Sequence, residues 1–246
     1  MRFSVGEVLP GATILDIKAA GKNPGDVGLW NTMVTVGGTT ETSVKDNCNN
    51  QDTSKCMAAY MVAHLTESSS AYLENFWGWT ADHNLDGGFS KTIISTGRDV
   101  LEATKGTWLT GTGSEHHWLY NYNFHSAQNV YAGLLQAENP YMQGDGATQT
   151  APAPWTAESS LGDPDFACAA WAFFNGEWNG DYGSQCDGSC QTNMMRVANS
   201  PENLVWYSIG TRKADVMILD DQSNPSEYNH SCGREAVLQA YRQFAS

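Results

Sequence analysis

The sequence predicts an all-β fold, and three observations support this prediction. Strand-like segments recur roughly every eight to twelve residues, at 72–79, 99–103, 107–112, 117–124 and 129–136. Gly and Asn residues separate the segments, as expected where tight turns join short strands. The 24 glycines and 9 tryptophans among 246 residues also suit a turn-rich β protein.

The spacing of these segments fits two architectures. Three such intervals would form one coil of a parallel β-helix, in which short strands bend at Gly and Asn corners and successive coils stack. An antiparallel sandwich has similar spacing. The sequence contains no exact repeat that would separate the two architectures.

Outside this stretch, the elements are less sharply predicted. The apolar run Met57–Leu65 fits a buried strand or a short helix, because periodicity does not decide at this length. Val237, Tyr241 and Phe244 lie on one helical face, which predicts a short C-terminal helix that caps the fold. Further strands are predicted at 12–17, 33–36, 204–209 and 215–219.

Charge and hydropathy exclude several classes of partner. The chain has 13 basic and 27 acidic residues, for a net charge of -14. This balance argues against nucleic acid or an anionic membrane as the main partner. No apolar run reaches the length of about 20 residues that a membrane-spanning helix needs.

The six cysteines favour disulfides over metal binding. Cys48 and Cys56 bracket a polar loop and could close a small ring, while the remaining four allow three pairings. Cys186 and Cys190 have the spacing of a zinc ligand pair, but the sequence offers no second close pair. Disulfides predict an oxidising compartment, although the N-terminal residues lack a signal-peptide pattern.

Aromatic residues and isolated acids concentrate between Ala71 and Gln143. Sugar rings present apolar C–H faces that pack on indole and phenol rings, and a buried carboxyl can act as an acid or base. The stretch therefore predicts a cleft for a neutral, hydroxyl-rich ligand. Its aromatic residues are Trp77, Trp79, Trp108, Trp118, Tyr120, Tyr122, Tyr131 and Tyr141, and its isolated acids are Glu74, Asp82, Glu102, Glu115 and Glu138.

Glu115 and Glu138 form a candidate catalytic pair. Hydrolysis of a glycosidic bond needs a proton donor and a second group that attacks or activates water. The two residues lie 23 positions apart, so coils of roughly 22 residues would place them on adjacent coils and on similar faces. The alternatives are a solvated strand-end carboxylate for Glu138 and a pairing of Glu115 with His116 or His117.

Three long segments of this stretch carry a specific resemblance. YLENFWGWTADHNLD, WLTGTGSEHHWLYNYNF and LLQAENPYMQ resemble three consecutive blocks of glycoside hydrolase family 55. Members are mainly fungal, secreted exo-β-1,3-glucanases, and the similarity extends over about residues 1 to 160. The resemblance implies a right-handed parallel β-helix of the pectin-lyase-like type, with residues 1–246 as a single domain.

The same resemblance carries expectations about the whole protein. It implies that this domain is the C-terminal part of an enzyme with two β-helices, whose N-terminal β-helix is an intramolecular partner. The signal peptide of a secreted, extracellular enzyme would then precede this sequence. The implied activity is hydrolysis of laminarin-like β-1,3-glucan from the non-reducing end, with inversion and without metal or organic cofactor.

The resemblance also implies roles for the two acids. Glu138, in QAENPY, matches the general acid of the family, which predicts a raised pKa. Glu115, in SEHHWLY, matches the acid that helps to position the attacking water. The commoner family motif is QTETPYYQ, so the departures concern neighbouring subsites and lie at Ala137, Asn139 and Met142.

Four further residues are candidate sugar contacts. Trp79 is expected to form the floor of the first subsite, and Asp82 to bind sugar hydroxyls through charge-assisted hydrogen bonds. His83 would add a polar contact, and Tyr141 lies three residues after Glu138. Asn84 stands where the family usually has Asp.

Two other functions compete with hydrolysis. The chain could be a non-catalytic carbohydrate-binding β-helix that lacks the other half of the active site, or a purely structural solenoid. A metal site is not predicted, because the adjacent His116 and His117 would point to opposite faces of a strand. The sequence also lacks a GxSxG nucleophile motif, a phosphate-binding loop and a dinucleotide-binding motif.

Overall fold

The computed structural model confirms the predicted parallel β-helix. Each coil contributes one short strand to each of three sheets, and the paired strands within these sheets are parallel. The structure describes residues 1–5, 9–38, 57–81, 83, 85, 95–117, 119–138, 158–161, 191–197, 202–212, 214–220 and 235–243.

The three sheets are named here in the order of their first strands. Sheet A contains β1 (Arg2–Val5), β4 (Met33–Val36), β7 (Trp77–Thr80), β10 (Gly113–Glu115) and β13 (Gln136–Glu138). Sheet B contains β2 (Leu9–Ile17), β5 (Met57–Leu65), β8 (Ser95–Leu101) and β11 (Asn123–Phe124). Sheet C contains β3 (Gly28–Trp30), β6 (Tyr72–Glu74), β9 (Thr107–Thr110) and β12 (Val130–Gly133).

The corner between sheet C and sheet A uses the left-handed backbone region. Its first residue has a φ of 49° at Asn31, 51° at Asn75, 61° at Gly111 and 56° at Leu134. Gly and Asn adopt this conformation at low cost, so they suit a sharp two-residue corner. The Asn75 side chain donates to Asn31 Oδ1 at 3.1 Å, which links two successive corners.

The core is a stack of apolar side chains inside the coils. Register places Leu29, Leu73 and Leu109 in one row of sheet C, and the last two are 2 % and 5 % exposed. Val34 of sheet A and Val62 of sheet B are fully buried in the same cluster. Burial of this row removes apolar surface from water over three successive coils, and such stacking stabilises a solenoid.

The structure divides several predicted strands differently. Met57–Leu65 is a strand, which settles the ambiguity of that apolar run. The predicted strand at 72–79 is two strands, β6 and β7, separated by the corner at Asn75. Among the described residues of the segment 117–124, which exclude Trp118, the strand is Asn123–Phe124, because the chain turns after Glu115.

The predicted C-terminal helix is wrong. Glu235–Gln243 is a strand, β17, which pairs antiparallel with β15 (Leu204–Arg212). Val and Tyr in this segment favour extended backbone once a partner strand is available, so strand pairing overrides the helical spacing. Phe244 lies outside the described residues.

Two other strands and a short helix complete the described part of the chain. β14 (Gln191–Val197) pairs parallel with β16 (Ala214–Asp220). Ser159–Leu161 forms a 3-10 helix. Within the described ranges, no helix is long and apolar enough to cross a membrane.

Candidate active site

The candidate site lies on the outer face of sheet A. Strand register pairs Trp79 with Glu115, and Glu115 with Glu138. Successive side chains of a strand point to opposite faces, so these three residues share one face. The alternate positions face the core and are buried: Val34, Gly78, Ser114 and Ala137.

Glu115 and Glu138 are directly opposite one another on adjacent coils, as their spacing predicts. Glu115 is 6 % exposed, and the Glu138 side chain is 13 % exposed. One ligand atom from each of Glu115, His116 and Glu138 lies within 4.8 Å of the others. The two carboxyl groups therefore converge in a place that is largely removed from water.

His116 closes the site from the end of β10. Its φ of 66° turns the chain directly after Glu115. The His116 N–H donates to the Glu138 carbonyl at 2.9 Å, and Nε2 lies 3.8 Å from Glu138 Oε2. His117 contacts Thr80 Oγ1 through Nδ1 at 2.9 Å, so the two histidines have different partners, although both lie after β10 and not within a strand.

Asn121 connects the two ends of this turn. It is fully buried, and its Nδ2 donates to the Glu138 carbonyl at 2.9 Å. Its Oδ1 accepts from the His117 N–H at 3.1 Å, while its carbonyl accepts from Ser114 Oγ at 2.7 Å. The amide therefore holds the backbone of Glu138 against the turn that follows Glu115.

Gln136 contacts the candidate acid directly. Its Nε2 donates to Glu138 Oε1 at 3.1 Å. The two residues are separated by one position in β13, so both side chains leave the strand on the outer face. Their i and i+2 spacing was visible in the sequence, but the hydrogen bond was not.

Trp79 is more enclosed than a sugar-binding floor requires. It is 1 % exposed, and its ring lies 5.1 Å from the rings of both Trp77 and His83. A Cβ placed on Gly38 would lie 3.1 Å from the Trp79 ring, so glycine at that position leaves the space the ring occupies. Trp79 thus packs among neighbouring side chains on the outer face, and its contact with a sugar stays a prediction.

Several predicted residues fall outside the described part of the chain. They include the candidate sugar contacts Asp82 and Tyr141 and the motif departures Asn84, Asn139 and Met142. The cysteines lie outside it as well, namely Cys48, Cys56, Cys168, Cys186, Cys190 and Cys232. The structure therefore brings together Trp79, His83, Glu115 and Glu138 from the predicted set.

The residue types at this site permit either acid–base chemistry or cation binding. Carboxylates and imidazole are ligands for several divalent metals, and Glu115, His116 and Glu138 offer three such groups. The same three groups suit glycoside hydrolysis, which needs a carboxyl pair and no metal.

Comparison with known proteins shows that the chain is similar to two fungal proteins named as glucan glucosidases. The chain is 36 % identical over 241 residues to a glucan endo-1,3-beta-glucosidase from Trichoderma harzianum, covering 85 % of this chain and 31 % of that protein. It is 37 % identical over 153 residues to a glucan 1,3-beta-glucosidase from Cochliobolus carbonum, covering 58 % of this chain and 19 % of that protein.

A third relative is named as an effector and not as a glucosidase. The chain is 34 % identical over 239 residues to a non-secreted LysM effector from Penicillium expansum, covering 91 % of this chain and 17 % of that protein. The chain thus spans less than a third of the length of these curated relatives. No protein-family model matches the chain.

Proposed function

We propose that this chain hydrolyses β-1,3-glucan and is a member of glycoside hydrolase family 55. The observation that carries the proposal is the register-paired, largely buried carboxyl pair Glu115–Glu138 on the outer face of sheet A. The names of two relatives support β-1,3-glucan as the substrate. The proposed reaction releases glucose from the non-reducing end, with inversion at the anomeric carbon.

Glu138 is the proposed general acid. Two carboxyl groups that converge away from water do not both ionise at low cost, so the pair retains a proton. His116 and Glu115 face the Glu138 carboxyl and set its electrostatic environment. Protonated Glu138 would give its proton to the glycosidic oxygen while the bond from that oxygen to C1 breaks.

Glu115 is proposed to position the attacking water. Inverting enzymes hold their two carboxyl groups roughly 6.5–9.5 Å apart, so that water fits on the far side of the sugar. The ligand atoms of Glu115 and Glu138 are within 4.8 Å, which is closer than that range. The proposed inversion therefore requires the Glu115 side chain to rotate away from Glu138 when the sugar binds.

Four residues are the proposed sugar contacts. Trp79, Asp82 and His83 would bind the sugar on one side of the acid, and Tyr141 would bind it close to Glu138. His83 packs edge-on against Trp79, with an interplanar angle of 68°, so the two residues would act as one unit.

The size of the first products tests the proposal. The purified 246-residue chain is incubated with laminarin, and the early products are separated by chromatography. Glucose alone is expected, because the proposed enzyme works from a chain end. A ladder of oligosaccharides would establish an endo-acting enzyme and contradict the proposed mode. Absence of any product would contradict hydrolysis itself.

Removal of metal is expected to leave hydrolysis unchanged. Acid–base catalysis by Glu138 and Glu115 needs no cation, so kcat after dialysis against EDTA should stay within about twofold of the untreated value. The measurement is the initial rate on laminarin before and after dialysis. A loss of activity that one divalent ion restores would show instead that Glu115, His116 and Glu138 hold a metal.

Carbohydrate binding without hydrolysis is the second candidate function, and a row of aromatic rings on sheet C favours it. Register aligns Tyr72, Trp108 and Tyr131 on successive coils, and the ring of Trp30 lies 6.2 Å from that of Tyr72. Trp30 and Tyr131 are 54 % and 59 % exposed. Tyr72 donates to Glu74 at 2.6 Å, and this hydrogen bond raises the pKa of Tyr72.

Such a row would let glucan stack on the surface even if Glu138 catalyses no reaction. Retention of the chain on insoluble β-1,3-glucan, without release of sugar, would establish binding as its function. Release of sugar would establish hydrolysis.

We further propose that the protein is secreted, as a domain that works beside an N-terminal β-helix. The even number of cysteines supports an oxidising compartment. Thiol labelling of the denatured chain, with and without reductant, tests for the disulfides that an oxidising compartment predicts. Labelling only after reduction is expected, and six free thiols without reductant would contradict it.

A further inference from the structure

The carboxyl group of Glu138 has two different surroundings. Oε1 accepts a hydrogen bond from Gln136 Nε2 at 3.1 Å. Oε2 lies on the side of His116, 3.8 Å from its Nε2. The side chain is 13 % exposed, so these protein groups replace much of the water that would otherwise surround it.

The backbone beneath this carboxyl is also fixed. The carbonyl of Glu138 accepts from the His116 N–H and from Asn121 Nδ2, each at 2.9 Å. The register partner of Gln136 on β10 is Gly113, and the Trp77 ring and Glu115 Oε1 lie over this glycine. Two hydrogen bonds to the Glu138 carbonyl thus fix the backbone of the strand that carries both Gln136 and Glu138.

The chemistry of an amide makes this contact directional. The NH₂ group of Gln donates hydrogen bonds and does not accept them. Oε1 therefore acts as an acceptor both when Glu138 is ionised and when it is protonated. Because a carbonyl oxygen accepts more strongly than a hydroxyl oxygen, this contact favours the proton on Oε2 in the protonated acid.

We propose that Gln136 is a positioning residue that directs the catalytic proton of Glu138 to Oε2. This inference rests on the proposed hydrolysis with Glu138 as the general acid. The proton moves from Oε2 to the glycosidic oxygen, which keeps the electron pair of the breaking bond, while water adds to C1 and gives its own proton to the Glu115 carboxylate. Without Gln136, the proton divides between both oxygens and the carboxyl loses its fixed orientation.

Substrates with different leaving groups separate this role from a structural one. Cleavage of a laminari-oligosaccharide expels a sugar, which is a poor leaving group and needs a proton from an acid. A dinitrophenyl β-glucoside instead releases a stable anion that needs no proton. A residue that only supports the fold would affect both substrates alike. A residue that orients the acid affects mainly the oligosaccharide.

The test replaces Gln136 by Met, which keeps the length of the side chain and removes the donor. For Gln136→Met, kcat on laminari-oligosaccharides is expected to fall roughly 10- to 100-fold, as for a misplaced catalytic group. The rate on dinitrophenyl β-glucoside should change less than about twofold and shows that the variant is folded. The matched control is Gln128→Met at an exposed position, which should leave both rates unchanged.

Two outcomes would overturn the inference. An equal loss on both substrates would show that Gln136 has a structural or binding role, and unchanged rates on both would show that the contact is irrelevant. Failure of the proposed function looks different. In that case Glu138→Gln retains its laminarin activity, or the unmodified chain releases no sugar, whatever residue occupies position 136.

Discussion

Replacing Glu138 by Gln is expected to lower kcat for laminarin by about 10²–10⁴-fold, the contribution typical of general acid–base catalysis. The amide has the shape of the carboxyl group but no proton to give to the leaving oxygen. Glu138 pairs with Glu115 in strand register, is largely buried, and lies beside Gln136 and His116. The measurement is the initial rate of reducing-sugar release at saturating laminarin.

The matched control for this variant is Glu67→Gln. Glu67 is exposed in a turn between sheet B and sheet C, so loss of its charge should not alter the rate. Equal thermal melting of Glu138→Gln and the unmodified chain would show that the variant is folded. If Glu138→Gln retained more than roughly a tenth of the activity, Glu138 would not be the general acid.

Replacing Leu73 by Ala is expected to lower the free energy of unfolding by about 2–5 kcal/mol. Leu73 is 2 % exposed and lies between Leu29 and Leu109 in the inner row of sheet C. The substitution removes apolar burial and leaves a cavity that the stacked coils fill only partly. Urea denaturation followed by circular dichroism measures the change.

Leu134→Ala provides the matched comparison, with the same atoms removed from the surface of the same helix. Leu134 is 85 % exposed at a corner, so its truncation should change the free energy of unfolding by no more than about 0.5 kcal/mol. Similar losses in the two variants would mean that Leu73 does not lie in a packed core.

The sequence predicted the architecture through spacing and resemblance together. Segment spacing alone was compatible with a sandwich or a solenoid, because both use short strands and frequent turns. The 23-residue interval between Glu115 and Glu138 is one coil, and strand register places the two residues opposite one another. Coil length varies, however, since Trp79 and Glu115 also stand opposite one another across a longer interval, so spacing alone does not fix the register of the other coils.

The rest of the site depends on contacts that sequence distance does not reveal. His116 reaches Glu138 because its backbone is left-handed, a conformation uncommon for residues other than glycine. Asn121 joins β13 to the turn after β10 through its side chain, although nothing in its neighbourhood marks it as more than a turn residue. The burial of Trp79 depends on Gly38 and His83, which pack on it from other segments.

The most direct test of glucan hydrolysis at this site is time-resolved NMR of laminarin mixed with the purified chain. The anomeric protons show which form of glucose appears first, before mutarotation mixes the two. Early α-glucose from the unmodified chain, and none from Glu138→Gln, is the predicted result, because inversion converts a β-linkage into an α-product. Early β-glucose, or no released sugar at all, would contradict it.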